Sequence, residues 1–293
     1  MNERKKPDLV EALVELYKMT SICLPEDVKE KIMETRRKEK NMLAKKVMDA
    51  VKENIEIAEK KQIPLCEDTG IPVFFVETPK GISQKEVKEK ILKATEIATE
   101  KNFLRPNAVD SLTQKNSGNC IGKGIPTVYF EEKEGNGIKF NLLLKGGGSE
   151  NIGKTYSLPN PELNAGRDLN GIKKCVLDAV VKAQGLGCPP NIVSVVVGGS
   201  KDAIAVESKK QLLEKLNEKS NEKEILEFEE KLLKEINSLK IGPMGLGGKT
   251  TAFTVKVKFL ARHPASFFVE VAFCCWADRR HSLKWDNGEA EYD

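Results

Sequence analysis

The 293-residue chain is poor in histidine and tryptophan, with two of each, and only 6% of it is aromatic. Two histidines cannot build a histidine-rich zinc or non-haem iron site. No stretch approaches 18 consecutive apolar residues, so a membrane-spanning helix is excluded. The opening segment, Met1 to Pro7, lacks the apolar run of a secretory signal, which predicts a soluble, cytoplasmic protein. Charge of one sign is missing too, since 48 Lys and Arg against 44 Asp and Glu leave a net +4. Nucleic-acid binding would need those basic residues clustered, so neither nucleic acid nor membrane is an expected partner.

What the sequence does contain is a succession of well-punctuated elements. Asp8 followed by Leu9, Ala12, Leu13 and Leu16 predicts a capped helix with one apolar face, and Met42 to Ala58 repeats the spacing. Ser83-Gln84-Lys85-Glu86 fits a capping box, with Ile82 and Val87 as its hydrophobic staple. The region 1–60 therefore reads as helical. Pro64 to Val76 reads as a turn-rich loop feeding a buried strand. Val128-Tyr129-Phe130 and Phe140 to Leu144 read as two strands joined around Gly135-Asn136-Gly137. A helix over about 171–184 is stopped by Gly185, Gly187 and Cys188-Pro189-Pro190. Ile192 to Val197 predicts a strand. The polar stretch 207–240 predicts a long amphipathic helix or a helical pair broken near Asn217–Asn221. Thr254 to Phe259 and Phe267 to Cys274 return to strand. The length allows about two domains, but no linker or repeat is visible. The fold class expected is mixed α and β, with N-terminal helices packed with small mixed sheets, as a single unit over 1–293.

Three motifs bear on chemistry. The loop from Gly242 to Thr251 resembles a phosphate-binding loop, but Pro243 stands where that motif needs glycine and a strand follows instead of a helix. Its glycines predict close backbone approach to some other group. His263, in Arg262-His263-Pro264, lies between two strands, and His281 lies in what reads as an irregular C-terminal stretch. Among the seven cysteines, Cys175 belongs to a helix's apolar stripe and Cys274 neighbours Cys275 on a strand, so those two face opposite ways. Cys66, Cys188 and Cys275 share a different context, each at an edge between regular elements. In a reducing compartment such thiols pack, attack or hold metal. Three thiolates on an iron–sulfur cube would leave one iron open, turning an electron carrier into a Lewis acid.

Six blocks carry a resemblance when taken in order: Cys66-Glu67-Asp68-Thr69-Gly70, Arg105-Pro106-Asn107-Ala108-Val109, Lys145 to Asn151, Gly187-Cys188-Pro189-Pro190, Gly242 to Gly248 and Cys275-Trp276-Ala277. Together they resemble the iron–sulfur class I fumarate hydratases over about residues 10–285. The chain looks most like the separate α subunit of the two-subunit form, related to the α subunit of L-tartrate dehydratase.

That resemblance implies a cluster-binding unit of the class I fumarase type, with a [4Fe–4S] cluster held by Cys66, Cys188 and Cys275. It implies a hydro-lyase converting (S)-malate, a dicarboxylate, to fumarate, and a tricarboxylic acid cycle role. It further implies a β subunit that supplies the catalytic base, as a second domain does in single-chain relatives, so that this chain turns over poorly alone. Arg105 would clamp a substrate carboxylate through its planar fork. Gly148 would present its backbone N–H to a carboxylate, Asp68 would meet the leaving hydroxyl, and His263 would deliver or orient a proton. Glu67 departs from the pattern, because many relatives carry Gln there and an ionised carboxylate only accepts hydrogen bonds. A tartrate dehydratase α subunit is the nearest alternative, and a non-catalytic iron–sulfur electron-transfer or sensing protein the next.

Overall fold

The computed structural model describes residues 8–293, so the reading of Met1 to Pro7 lies outside the described residues. The helices are α1 (Leu9–Ile22), α2 (Glu26–Lys38), α3 (Met42–Lys61), α4 (Gln84–Glu100), α5 (Gly147–Asn151), α6 (Leu169–Ala183), α7 (Lys201–Gln211) and α8 (Lys223–Ser238). The strands are β1 (Ile71–Thr78), β2 (Thr127–Glu132), β3 (Ile138–Lys145), β4 (Lys154–Ser157), β5 (Asn191–Val197), β6 (Ala252–Phe259), β7 (Phe268–Cys274), β8 (Arg280–Asp286) and β9 (Glu289–Tyr292). Among the described residues no helix is long and apolar enough to cross a membrane. Mixed α and β is thus the observed class. The chain divides into two compact units, each discontinuous in sequence, which is why no linker could be read from it.

The first unit takes the residues up to Pro25, Asn54–Gly146 and Arg279–Asp293. Its sheet runs β2-β1-β3-β8-β9, with β1 parallel to β2 and antiparallel to β3. The strands joined around Gly135 therefore do not form a hairpin. β1, apolar on both faces through Val73-Phe74-Phe75-Val76, takes the position between them, where both faces are covered. Phe74 and Val76 face the same core as Phe140, Leu142 and Leu283, against the apolar sides of α1 and α4. Both helices start as their caps predict. Asp8 and Glu11 close a reciprocal capping box, and Ser83 accepts from the Glu86 N–H. The stretch around His281 is not irregular: β8 is an inner strand with His281 opposite Leu142, and its run of polar residues hides that burial.

The second unit takes Glu26–Glu53 and Gly147–Asp278. Its sheet runs β4-β7-β5-β6. β5 is buried along its whole length, since Val193, Val195 and Val197 meet α6 and α8 while Ser194 on the other face donates to Gln211 of α7 at 2.8 Å. The polar stretch resolves into the pair α7 and α8. Register fixes what sits at each end of this sheet. Ile192 lies opposite Cys274, and Asn191 lies beside Ala252. The loops that precede β5, precede β6 and follow β7 therefore share one end.

Candidate functional site

In the first unit Cys66, Glu67 and Asp68 sit on the loop from α3 to β1. Leu65 anchors it: its N–H donates to Ser21 O at 2.9 Å, and its carbonyl accepts from Asn54 Nδ2 at 2.8 Å. Cys66 and Asp68 follow, half-buried, with Glu67 exposed between them. Asp68 Oδ1 accepts from the Gly70 N–H at 2.9 Å. Gly70 has φ +80°, and a Cβ there would come within 2.9 Å of the Leu144 and Lys145 backbone, so only glycine lets the loop lie on the end of β3. Buried Thr69 joins a second loop to the first, its Oγ1 accepting from the Arg105 N–H at 2.8 Å while Asn107 Nδ2 donates to Gly70 O at 3.0 Å. Cys66, Glu67 and Arg105 consequently line one cleft of about 400 Å³. Among the described residues no hydrogen bond or ion pair engages the side chain of Glu67 or Arg105, which leaves both available to a ligand.

Behind this loop lies a residue that the sequence did not single out. Arg279 is 1% exposed, and its Nη1 donates to the carbonyl of Asp68 at 2.6 Å. Its Nε is buried and has no hydrogen-bond partner among the described residues. The signal was faint: Asp278-Arg279-Arg280-His281 reads as a wet tail, although all four are buried.

In the second unit Cys188 and Cys275 meet at one end of the sheet. The Trp276 N–H donates to Cys188 O at 3.2 Å, and Asn191 Nδ2 ties Gly187 O at 2.8 Å to Cys274 O at 3.2 Å. Cys188 is exposed and holds φ +51°, a left-handed backbone that costs a non-glycine residue free energy and concentrates at functional sites. Gly148, exposed on α5, faces Leu186 O of the same loop. The Gly242 to Gly248 loop has its role here. A 3₁₀ turn, Pro243–Gly245, brings the Met244 N–H to Pro189 O at 2.8 Å, and a Cβ on Gly245 would lie 2.7 Å from Gly185 Cα. Its glycines approach the chain's own cysteine loop and brace it.

His263 lies at the other end of that sheet. It precedes β7 while Cys275 follows it, and seven strand residues span roughly 23 Å. The expected proximity of His263 to this chain's own Cys188 and Cys275 is therefore not found. Arg167 and Arg262 hold its loop through the carbonyls of Pro264, Ala265 and His263, and His263 Nδ1 accepts from the Ala265 N–H at 3.1 Å.

The cysteines separate by chemistry. Burial pushes the thiols of Cys120 and Cys175 up to about 11, with a nearby carboxylate adding to the effect, so these two remain protonated packing groups. Cys274 is buried in the strand. Cys66, Cys188 and Cys275 lie on loops, Cys188 exposed and the other two half-buried, and none is in a disulfide. Among the described residues no set of three or more His, Cys, Asp or Glu is arranged around a single metal ion. A lone ion needs its thiolates within about 2.3 Å of one point, whereas each iron of a cube takes one. The donor chemistry suits a cluster.

A family model for fumarate hydratase (Fumerase) matches residues 10–284. The chain belongs to the fumarate hydratase family. Over 97% of its length it is 42% identical to a Geobacillus stearothermophilus protein provisionally named class I fumarate hydratase, of which it spans 56%. It is 39% identical over 92% of its length to a Methanocaldococcus jannaschii protein provisionally named L(+)-tartrate dehydratase subunit alpha, spanning 95% of that chain. The L(+)-tartrate dehydratase subunit alpha of Escherichia coli strain UTI89 is 30% identical over 97% of this chain and 94% of its own. These relatives match nearly all of the chain, one of them a longer protein and two of about its own size.

Proposed function

We propose that this chain is the α subunit of a [4Fe–4S] hydro-lyase that interconverts (S)-malate and fumarate, with Cys66, Cys188 and Cys275 as cluster ligands and a β subunit bringing the catalytic base. The observation that carries the reading is the cleft in which the unengaged Arg105 stands beside Cys66 and Glu67. A planar guanidinium free of internal partners is suited to a carboxylate. Support for the second subunit comes from the relatives named as α subunits.

Loss of water from malate removes a weakly acidic proton α to a carboxylate and expels a poor leaving group. When bound, the cluster would supply a Lewis acid for the departing hydroxyl. Arg105 binds and orients one substrate carboxylate. Gly148, without a side chain, offers its N–H to a carboxylate at close range. Asp68, held in its turn by the Gly70 N–H, orients the hydroxyl and accepts its hydrogen bond. Proton delivery by His263 at Cys188 and Cys275 has no place in the scheme, because His263 and those two cysteines lie at opposite ends of the second unit's sheet.

A second reading rests on Glu67. Its carboxylate is exposed, and an ionised carboxylate can only accept. L-Tartrate carries a second hydroxyl donor where malate has none, and two of the matched relatives bear the tartrate name. Anaerobic co-expression with the β subunit and rates on both substrates decide between them. Malate–fumarate turnover faster than tartrate loss is expected, and rapid tartrate turnover with negligible fumarate hydration would reverse the assignment. A cluster whose spectrum ignores both substrates would remove the enzymatic reading altogether.

A further inference from the structure

The first unit buries a permanent charge that the proposed chemistry does not use. Arginine cannot shed its proton inside a protein, so a guanidinium at 1% exposure needs acceptors or a carboxylate close by. Arg279 has the Asp68 carbonyl at 2.6 Å. The Asp68 carboxylate is the acidic group beside it, as Gly146 shows. A Cβ on Gly146 would lie 3.2 Å from Asp68 Oδ2 and 3.4 Å from Arg279 Nη2, so both groups rest against the same bare Cα. Arg279 is itself held, since its own carbonyl accepts from the Leu144 N–H at 3.0 Å at the end of β3. The guanidinium thus links the rigid sheet to the middle of the Cys66–Gly70 loop.

We infer that Arg279 is a positioning residue, whose guanidinium holds the Asp68 main chain, with the Asp68 carboxylate beside it at Gly146, and thereby sets the direction of both Asp68 and Cys66 before any ligand arrives. The role concerns the loop's geometry and holds whichever hydroxydiacid is the substrate. Its catalytic consequence rests on the reading that Asp68 meets the substrate hydroxyl. Replacement by lysine keeps the charge but removes the rigid planar fork that aims Nη1 at the Asp68 carbonyl.

The test measures the loop directly. The full-length chain, free of iron, is treated with N-ethylmaleimide under anaerobic conditions, and alkylation of each cysteine is followed by peptide mass spectrometry. In Arg279→Met the Cys66 rate is expected to rise roughly tenfold, as loss of one charge-assisted hydrogen bond implies, while Cys120 and Cys188 keep their wild-type rates. Arg279→Lys should fall between the two. Gly146→Ala provides an independent wedge between Asp68 and Arg279 on a backbone that tolerates alanine, and should raise the Cys66 rate about threefold, a weaker effect than deleting the hydrogen bond. With the β subunit present, all three variants should lower kcat while KM changes less than twofold. An unchanged Cys66 rate in Gly146→Ala and Arg279→Lys would overturn the inference, and so would a rise shared equally by Cys120 and Cys188, which marks general loosening. Should Arg279→Met fail to fold, the other two variants carry the test. If the wild-type pair turns over neither malate nor tartrate, the functional reading fails while the alkylation result still judges Arg279.

Discussion

At the scale of single residues, Cys188 holds a backbone that its side chain disfavours. A left-handed L-residue costs about 1–2 kcal/mol, and glycine removes that cost while adding about 0.4–1 kcal/mol of unfolded-state entropy. Cys188→Gly is therefore expected to unfold in urea with a stability about 1 kcal/mol above that of Cys188→Ala. Both variants should lose iron equally on anaerobic reconstitution. Gly70 makes the opposite case, since its φ of +80° is combined with backbone 2.9 Å from a hypothetical Cβ. Gly70→Ala should cost about 2 kcal/mol or more in the same assay. The sequence flagged Cys188 because prolines follow it and glycine precedes it. It could not flag the left-handed φ, in a loop whose backbone Met244 and Trp276 bond from positions far away in sequence. Arg279 was harder still to find, because a long charged side chain among charged neighbours looks solvated until the fold encloses it.

At the scale of elements, the thiol end of the second unit depends on how β5 and β7 are tied. Asn191 is 4% exposed and bonds two carbonyls that belong to the Cys188 and Cys275 segments. Asn191→Ala removes a buried hydrogen bond to each carbonyl and should cost about 2–3 kcal/mol, read from urea unfolding, and should hasten iron loss from the reconstituted chain. Another element-level effect is pH-dependent. On α8, Glu229 Oε1 accepts from the Val257 N–H of edge strand β6 at 2.8 Å, and burial raises its pKa, as it does for Glu214 and Glu270. A carboxyl whose folded pKa lies above its unfolded value binds protons more tightly when folded. Its contribution to stability is full below the ordinary Glu value of about 4.3 and is lost as pH rises through the folded pKa. Glu229→Gln keeps the acceptor and discards the charge, so it should raise Tm at pH 7 and give no advantage near pH 4. Helices were the readable elements, because caps such as Asp8 and Ser83 are local. The placement of β1 between β2 and β3, and the inward position of β8, depend on pairings across scores of residues that no window of sequence contains.

At the scale of the whole molecule, neither unit is one stretch of chain. The first needs β8, where Leu283 is fully buried against Phe140 and Leu142. A chain stopped at Asp278 should expose Cys120 of the first unit to alkylation at a rate approaching that of an unfolded thiol, with Cys175 of the second unit still protected. Equal protection of both would show that β8 is dispensable to that core. The discontinuity also orders events in the cell. Arg279 and β8 leave the ribosome only after every strand of the second unit, so the first unit's sheet is the last to be completed although its first strands are made early.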